Sequence, residues 1–228
     1  MKEYRAVRNR CAVNLLELKI PFDPIDIIQF LHSIEFKLLN VDIIALARER
    51  IGKAEYRRGA RPSESPDIFD CSSFVKWLYG QKGIWLPRRT IQQSVMGEEV
   101  DPSNLKAGDL IFTSGYINYY HTRPDNESIG HVGIATGENS VIHAANKRTG
   151  IQEVSLERFI PNDEYAQIVR RYVSKDTLTF ETPTHREVEW SDDFRWIILQ
   201  NEGVILSEIM KREKSCAMGA WDSNSEEA

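Results

Sequence analysis

Cysteine is scarce in this chain: Cys11, Cys71 and Cys216 are the three present, and they stand far apart among 228 residues. They match neither the paired spacing of a zinc site nor the dense framework of a disulfide-stapled secreted domain. An odd number leaves at least one thiol free unless two chains cross-link, which fits a reducing compartment. Long apolar runs are missing too. No stretch approaches the roughly 20 residues that a membrane-crossing helix needs. In the opening segment, "MKEYRAVRNRCAVNLLELKIPFDP", Glu17 and Lys19 cut short the apolar patch, and no cleavage site of the A-x-A kind follows. No secretory signal is therefore read, and the expected location is cytoplasmic, with a non-standard export route left open. An excess of positive charge is also lacking. The 29 Lys and Arg against 34 Asp and Glu give a formal charge of −5. With no basic stripe to answer a phosphate backbone, nucleic acid is not an expected partner.

What is present is an ordinary soluble composition, 41% apolar and 28% charged, long enough for one sizeable domain with appendages. Ile27, Ile28, Leu31, Ile34, Leu38 and Leu39 recur on a helical period after Asp26, which predicts an amphipathic helix reaching the high thirties. "DIIALARERIG" predicts a second helix over 42–52, with Asp42 as cap and Gly52 as stop. Pro, Ser and Gly make 57–70 a loop, and "SSFVKWLYGQK" at 72–82 a third helix. Beyond Gly83 the texture changes to short β-branched or aromatic runs at 109–113, 131–136, 140–145, 151–154 and 166–173. Helices followed by antiparallel strands indicate an α+β domain. The expected organisation is a helical N-terminal extension (1–40), a central domain (41–174) and a C-terminal extension (175–228) with an acidic, disordered end. A long polar-aromatic loop, 114–130, carries Tyr116, Tyr119, Tyr120 and His121. Loops of that length are usually functional or disordered.

The chemistry gathers in two places. In "GHVGIATGENSVIHAA" the centre "TGENS" reads as a hairpin turn. With the register centred on Glu138, His131 lies opposite Ala145, and His143 becomes its diagonal neighbour on the same face, about 7–8 Å away between backbone positions. Val132, Ile134, Ile142 and Ala144 then form the opposite, apolar face. A slip of one residue would separate the rings. The second place is "FDCSSFVKWLYG". If the 72–82 helix starts at Asp70 or Cys71, the sulfur meets unpaired N–H groups and the positive end of the helix dipole, which favour the thiolate. Taken singly, Cys71 reads as a structural thiol, a metal ligand or a nucleophile, and either histidine reads as a core residue. Zinc would find suitable ligand types here, but no motif offers a fourth ligand, so no metal or cofactor is expected. Taken together, the three suggest acyl transfer: Cys71 attacks, His131 takes and returns the proton, and His143 orients His131 through its second nitrogen.

The stretch from about Ile43 to Val173 resembles the NlpC/P60 family of papain-like cysteine peptidases. The resemblance rests on "IGKAEYRRGA", "FDCSSFVKWLYGQKGIWLPRRTIQQ", "LKAGDLIFT", "GHVGIATGENSVIHAA" and "IQEVSLERF", in that order. It implies an α+β papain-like fold with N-terminal helices packed on a central antiparallel sheet. It implies Cys71 as nucleophile, His131 as base, His143 as third polar residue and Tyr56 as an oxyanion donor. It also implies that Asp70 and Ser72 contact a peptide substrate, and that the substrate is a murein-derived peptide with γ-D-glutamyl linkages to a diamino acid. The chain departs from the family pattern where "RRGA" replaces a Trp-Gly-Gly-like run and where Ser73 replaces a Gly. Both positions lie by the substrate groove in the family. Two other readings stand beside hydrolysis: deamidation or transpeptidation by the same residues, and a fold used only for binding.

Overall fold

A computed structural model describes residues 3–114, 129–160 and 168–222, with side chains to residue 212. The loop carrying Tyr116, Tyr119, Tyr120 and His121, the side chain of Cys216 and the acidic end lie outside the described residues. The strands are β1 (Arg10–Val13), β2 (Lys37–Leu39), β3 (Glu55–Tyr56), β4 (Ile68–Phe69), β5 (Glu98–Val100), β6 (Leu110–Thr113), β7 (His131–Ala135), β8 (Ser140–Asn146), β9 (Gly150–Ser155), β10 (Ile168–Arg171) and β11 (Leu178–Glu181). The helices are α1 (Pro24–Ser33), α2 (Ile43–Glu49), α3 (Cys71–Gln81), α4 (Thr90–Ser94), α5 (Leu156–Phe159), α6 (Asp193–Leu199) and α7 (Glu202–Asp222). Among the described residues no helix is long and apolar enough to cross a membrane.

The central unit is a six-stranded sheet in the order β5-β10-β6-β7-β8-β9, antiparallel at every pairing. One face is covered by α3, whose Phe74, Val75 and Leu78 bury against Leu110, Val132, Ile134 and Ile142. The other face is not left to small residues around two histidines, as the strand pattern implies. Ile111, Ala135, Val141, Val154 and Val169 form a second apolar cluster there, closed by Phe159 of α5. A sheet packed on both faces hides its alternation, since each side then carries apolar residues.

The two terminal segments do not behave as separate extensions. β1, β11 and β2 form one three-stranded antiparallel sheet, in which β11 from the C-terminal part lies between two N-terminal strands. Phe30, Leu31 and Phe36 share a core with Phe180, Phe194 and Ile198. The N-terminal part is helical only over α1 and one 3₁₀ turn, Leu15–Leu18. The helix expected to run into the high thirties ends at Ser33, because Glu35 adopts a left-handed φ of 70° and Lys37–Leu39 pairs with β11 instead. A pairing partner some 140 residues away carries no local signal.

The two units meet where α3 ends. Gly83 sits at φ 76°, and its carbonyl accepts from the Ala12 N–H at 3.0 Å. A Cβ at this position would meet the backbone of Cys11 and Ala12 at 2.7–2.8 Å. Replacing Gly83 by Ala therefore adds left-handed strain, about 1–3 kcal/mol, to a backbone clash that only separation of the units relieves. The expected outcome in urea unfolding is a loss of at least that size. Gly52→Ala, at φ 71° with nothing within 4 Å, serves as the control without the clash.

Candidate active site

Asp70 decides where α3 begins. Its backbone is extended, and its carboxylate accepts from the Ser73 N–H at 2.8 Å while the Ser73 hydroxyl caps the Asp70 N–H at 2.9 Å. This reciprocal box stops the helix at Cys71, so the thiol occupies the first helical position. The same carboxylate takes more partners. Oδ1 accepts from the Ser72 hydroxyl at 3.2 Å and Arg88 Nη1 at 3.0 Å, and Oδ2 from the Gly59 N–H at 3.0 Å. Oδ2 is also paired with Arg88 Nη2. Burial would raise the Asp70 carboxyl, but the Arg88 guanidinium and the Ser73 donors outweigh it and hold it below its ordinary value. Arg88 further donates to the Ser72 hydroxyl at 2.8 Å and to the Ala60 carbonyl at 2.7 Å.

Cys71 lies in the wall of an open cleft of about 950 Å³ that Tyr56, Asp70, Ser72, Arg88 and His131 also line. Tyr56 reaches it because β3 runs parallel to β4, in a register that sets Tyr56 beside Phe69. Burial, then the nearby Cys71 and Asp70, keep the Tyr56 phenol above its ordinary value, so it remains an O–H donor.

The register of β7 and β8 pairs Ile134 with Ile142 and Ala135 with Val141, which is the pairing centred on Glu138. His131 and His143 accordingly share a face, and His131 Nε2 lies 2.7 Å from His143 Nδ1. Phe159 packs against both rings, with centroids 5.7 and 5.0 Å away. Burial pushes His131 down to about 4. Burial, with the charges of His131 and Arg158, pushes His143 down to about 3. Both imidazoles are neutral at pH 7.

The thiol behaves differently from a sulfur considered only at a helix start. Burial and the Asp70 carboxylate push Cys71 up to about 11, against the opposing hydrogen bonds of Thr90 and of the Ser72 and Val132 N–H groups. Thr90 Oγ1 is 3.9 Å from the sulfur. Sequence reasoning also passes over Arg88, Thr90 and Gln93 as site residues. Gln93 is fully buried, and its amide donates to the carbonyls of Ser72 (3.1 Å) and Pro87 (2.9 Å). The three belong to "LPRRTIQQ", and only their matching polarity within that run signals a shared task. Asp109 has the turn role its setting suggests: it accepts from the Lys106 N–H at 2.7 Å and is gripped through both oxygens by Arg171. Among the described residues no group of three His, Cys, Asp or Glu side chains could hold a metal ion.

The NlpC/P60 family model matches residues 53–171. The chain belongs to the NlpC/P60 family. A probable endopeptidase of Corynebacterium glutamicum is 38% identical over 116 residues, covering 50% of this chain and 47% of that protein. The γ-DL-glutamyl hydrolase of Bacillus subtilis is 37% identical over 107 residues, 46% of this chain and 23% of that one. The peptidoglycan DL-endopeptidase CwlO of Bacillus licheniformis is 30% identical over 129 residues, 54% of this chain and 26% of that one. This chain thus spans less than half the length of these relatives. A solved NlpC/P60 protein from Bacillus cereus is 29% identical with a TM-score of 0.49, over 58% of this chain and 40% of that one.

The protonation pattern yields two expected outcomes. Unfolded histidines titrate near 6.5, and folded His131 and His143 near 4 and 3. Between these values the unfolded chain binds more protons, so stability held above pH 6.5 is lost as pH falls toward 4. Urea unfolding at a series of pH values should show this fall, and a His131→Gln/His143→Gln variant should show a flatter one. For Cys71, alkylation of the free protein by iodoacetamide, resolved by peptide mapping, should keep rising beyond pH 9. A plateau already reached at neutral pH would instead mark a preformed thiolate.

Proposed function

We propose that this chain is a cysteine peptidase that hydrolyses amide bonds of murein-derived peptides, of the γ-D-glutamyl-diamino acid type, with Cys71, His131 and His143 as its reacting groups. The observation that carries this reading is the 2.7 Å contact of His143 with His131, which lines the same cleft as the Cys71 thiol. The names of the relatives, an endopeptidase, a γ-DL-glutamyl hydrolase and a peptidoglycan DL-endopeptidase, support the class of bond.

In this mechanism a bound peptide displaces water from the cleft. The Cys71 S–H bond breaks as the proton passes to His131, and Sγ attacks the substrate carbonyl carbon. The neutral resting site makes this a transfer during attack rather than from a standing ion pair. The carbonyl oxygen becomes an oxyanion, stabilised by the Tyr56 hydroxyl and by backbone N–H groups at the start of α3. Collapse expels the amine, which receives the proton from His131. Water, deprotonated by His131, then cleaves the thioester and restores the thiol. His143 orients His131 and shares its transient charge. Asp70 and Ser72 contribute a fixed wall to the substrate groove, since Arg88 binds both.

The test is incubation with L-Ala-γ-D-Glu-diaminopimelate peptides and mass analysis of the products. Cleavage at the γ-D-glutamyl bond, lost by about a thousandfold or more in Cys71→Ser and in His131→Ala, is the expected outcome. Intact peptides together with cleavage of another amide would overturn the substrate. Amine-linked products in the presence of an added amine would point to acyl transfer instead.

A further inference from the structure

The histidine pair does not end at His143. In the β8–β9 register His143 stands directly opposite Gln152, and the Gln152 Nε2 lies 3.2 Å from His143 Nε2. The side chains therefore form a line of three across three neighbouring strands: His131 on β7, His143 on β8 and Gln152 on β9. His143 turns Nδ1 to His131 and Nε2 to Gln152, so hydrogen bonds along this line have a direction.

That direction matters because both rings are neutral. A neutral imidazole carries one proton, and which nitrogen holds it is set by the hydrogen bond the other nitrogen makes. With the amide nitrogen of Gln152 donating to His143 Nε2, the His143 proton must sit on Nδ1 and be donated to His131 Nε2. His131 then holds its own proton on Nδ1, the nitrogen left over for the thiol, and cannot accept another there. With the amide turned by half a rotation, Oε1 accepts a proton from His143 Nε2. His143 Nδ1 then accepts from His131 Nε2–H, and His131 Nδ1 offers a lone pair. A glutamine can support either direction, and only the second gives a base.

We propose that Gln152 is a positioning residue whose amide selects the tautomer of the His131–His143 pair, and that the competent enzyme has the Gln152 carbonyl oxygen turned to His143 Nε2. When the S–H bond of Cys71 breaks and its proton goes to His131 Nδ1, the same oxygen remains a partner for His143 Nε2–H as the pair takes up positive charge. Among the described residues, Gln152 is the side chain within hydrogen-bond distance of His143 Nε2. The charged group acting on the pair from the packed elements is Arg158 of α5, which opposes a positive His143, while the titratable Cys71 thiol of α3, neutral at rest, lines the same cleft as His131. This inference rests on the proposed peptidase chemistry for its activity readout, but its tautomer readout does not.

The experiment compares the wild-type protein with Gln152→Leu, which has no polar end, and Gln152→Glu, which above its pKa can only accept. Nitrogen-15 NMR of the imidazoles, at a pH where both are neutral, reads the tautomers without any substrate. Wild type and Gln152→Glu are expected to carry the His143 proton on Nε2, and Gln152→Leu to lose that preference. On the γ-D-glutamyl peptide, Gln152→Leu should lower kcat about tenfold with KM unchanged, and Gln152→Glu should restore it to within about twofold. A His143 proton found on Nδ1 in wild type would overturn the inference. So would tautomers or kcat unchanged in Gln152→Leu. If no variant, wild type included, cuts the peptide, the substrate reading fails while the NMR result still decides the role of Gln152.

Discussion

The grip of Arg88 on Asp70 is the constraint on which the cleft depends. One carboxylate caps α3, receives a loop N–H from Gly59 and anchors a guanidinium that also reaches Ser72 and the Ala60 carbonyl. Three segments with no regular structure in common, around residues 59–60, 70–73 and 88, are thereby held in one arrangement. A buried carboxylate is costly unless it is both paired and hydrogen-bonded, and here the partners Gly59, Ser72 and Arg88 also line the cleft. Fixing the start of the helix and fixing the wall beside it are one event.

A second consequence concerns electrostatics. The same carboxylate that places the thiol also raises its proton affinity, and the apolar cover of Phe159 keeps the two imidazoles uncharged. The thiol and the imidazoles hold no ion pair between them at rest. In the proposed reaction the site's polar groups are preorganised for a charge that exists only while a substrate is bound, which is where such groups contribute most to a rate.

Much of this was legible in the residues, and the reasons differ from place to place. The facing of His131 and His143 could be read because strand periodicity is two and the turn between the strands is short, so one register assumption fixes both rings. The helix start at Asp70 was readable from local capping chemistry, as was the cap of α2, where Asp42 accepts from the Ile44 and Ala45 N–H groups. What escaped was non-local. Arg88 acts on a residue 18 positions away and looks from sequence like one of two adjacent surface arginines. β2 takes its strand form from a partner near the other end, and its residues on their own continue a helical period. The upward shift of Cys71 was hidden for a related reason: a helix start is a local feature, while burial is a property of everything packed around it.

The order β1-β11-β2 has a temporal meaning as the chain leaves the ribosome. β1 and β2 do not pair with each other; each pairs with β11. Both must therefore wait, without a strand partner, until the whole central unit and residues 178–181 have been synthesised. In topology the central unit is an insertion within the smaller sheet, and that sheet closes late, alongside the still later contacts of Tyr4 with Ser191 and Phe36 with Phe194. The small sheet thus works as a clasp that fastens only after its contents are in place.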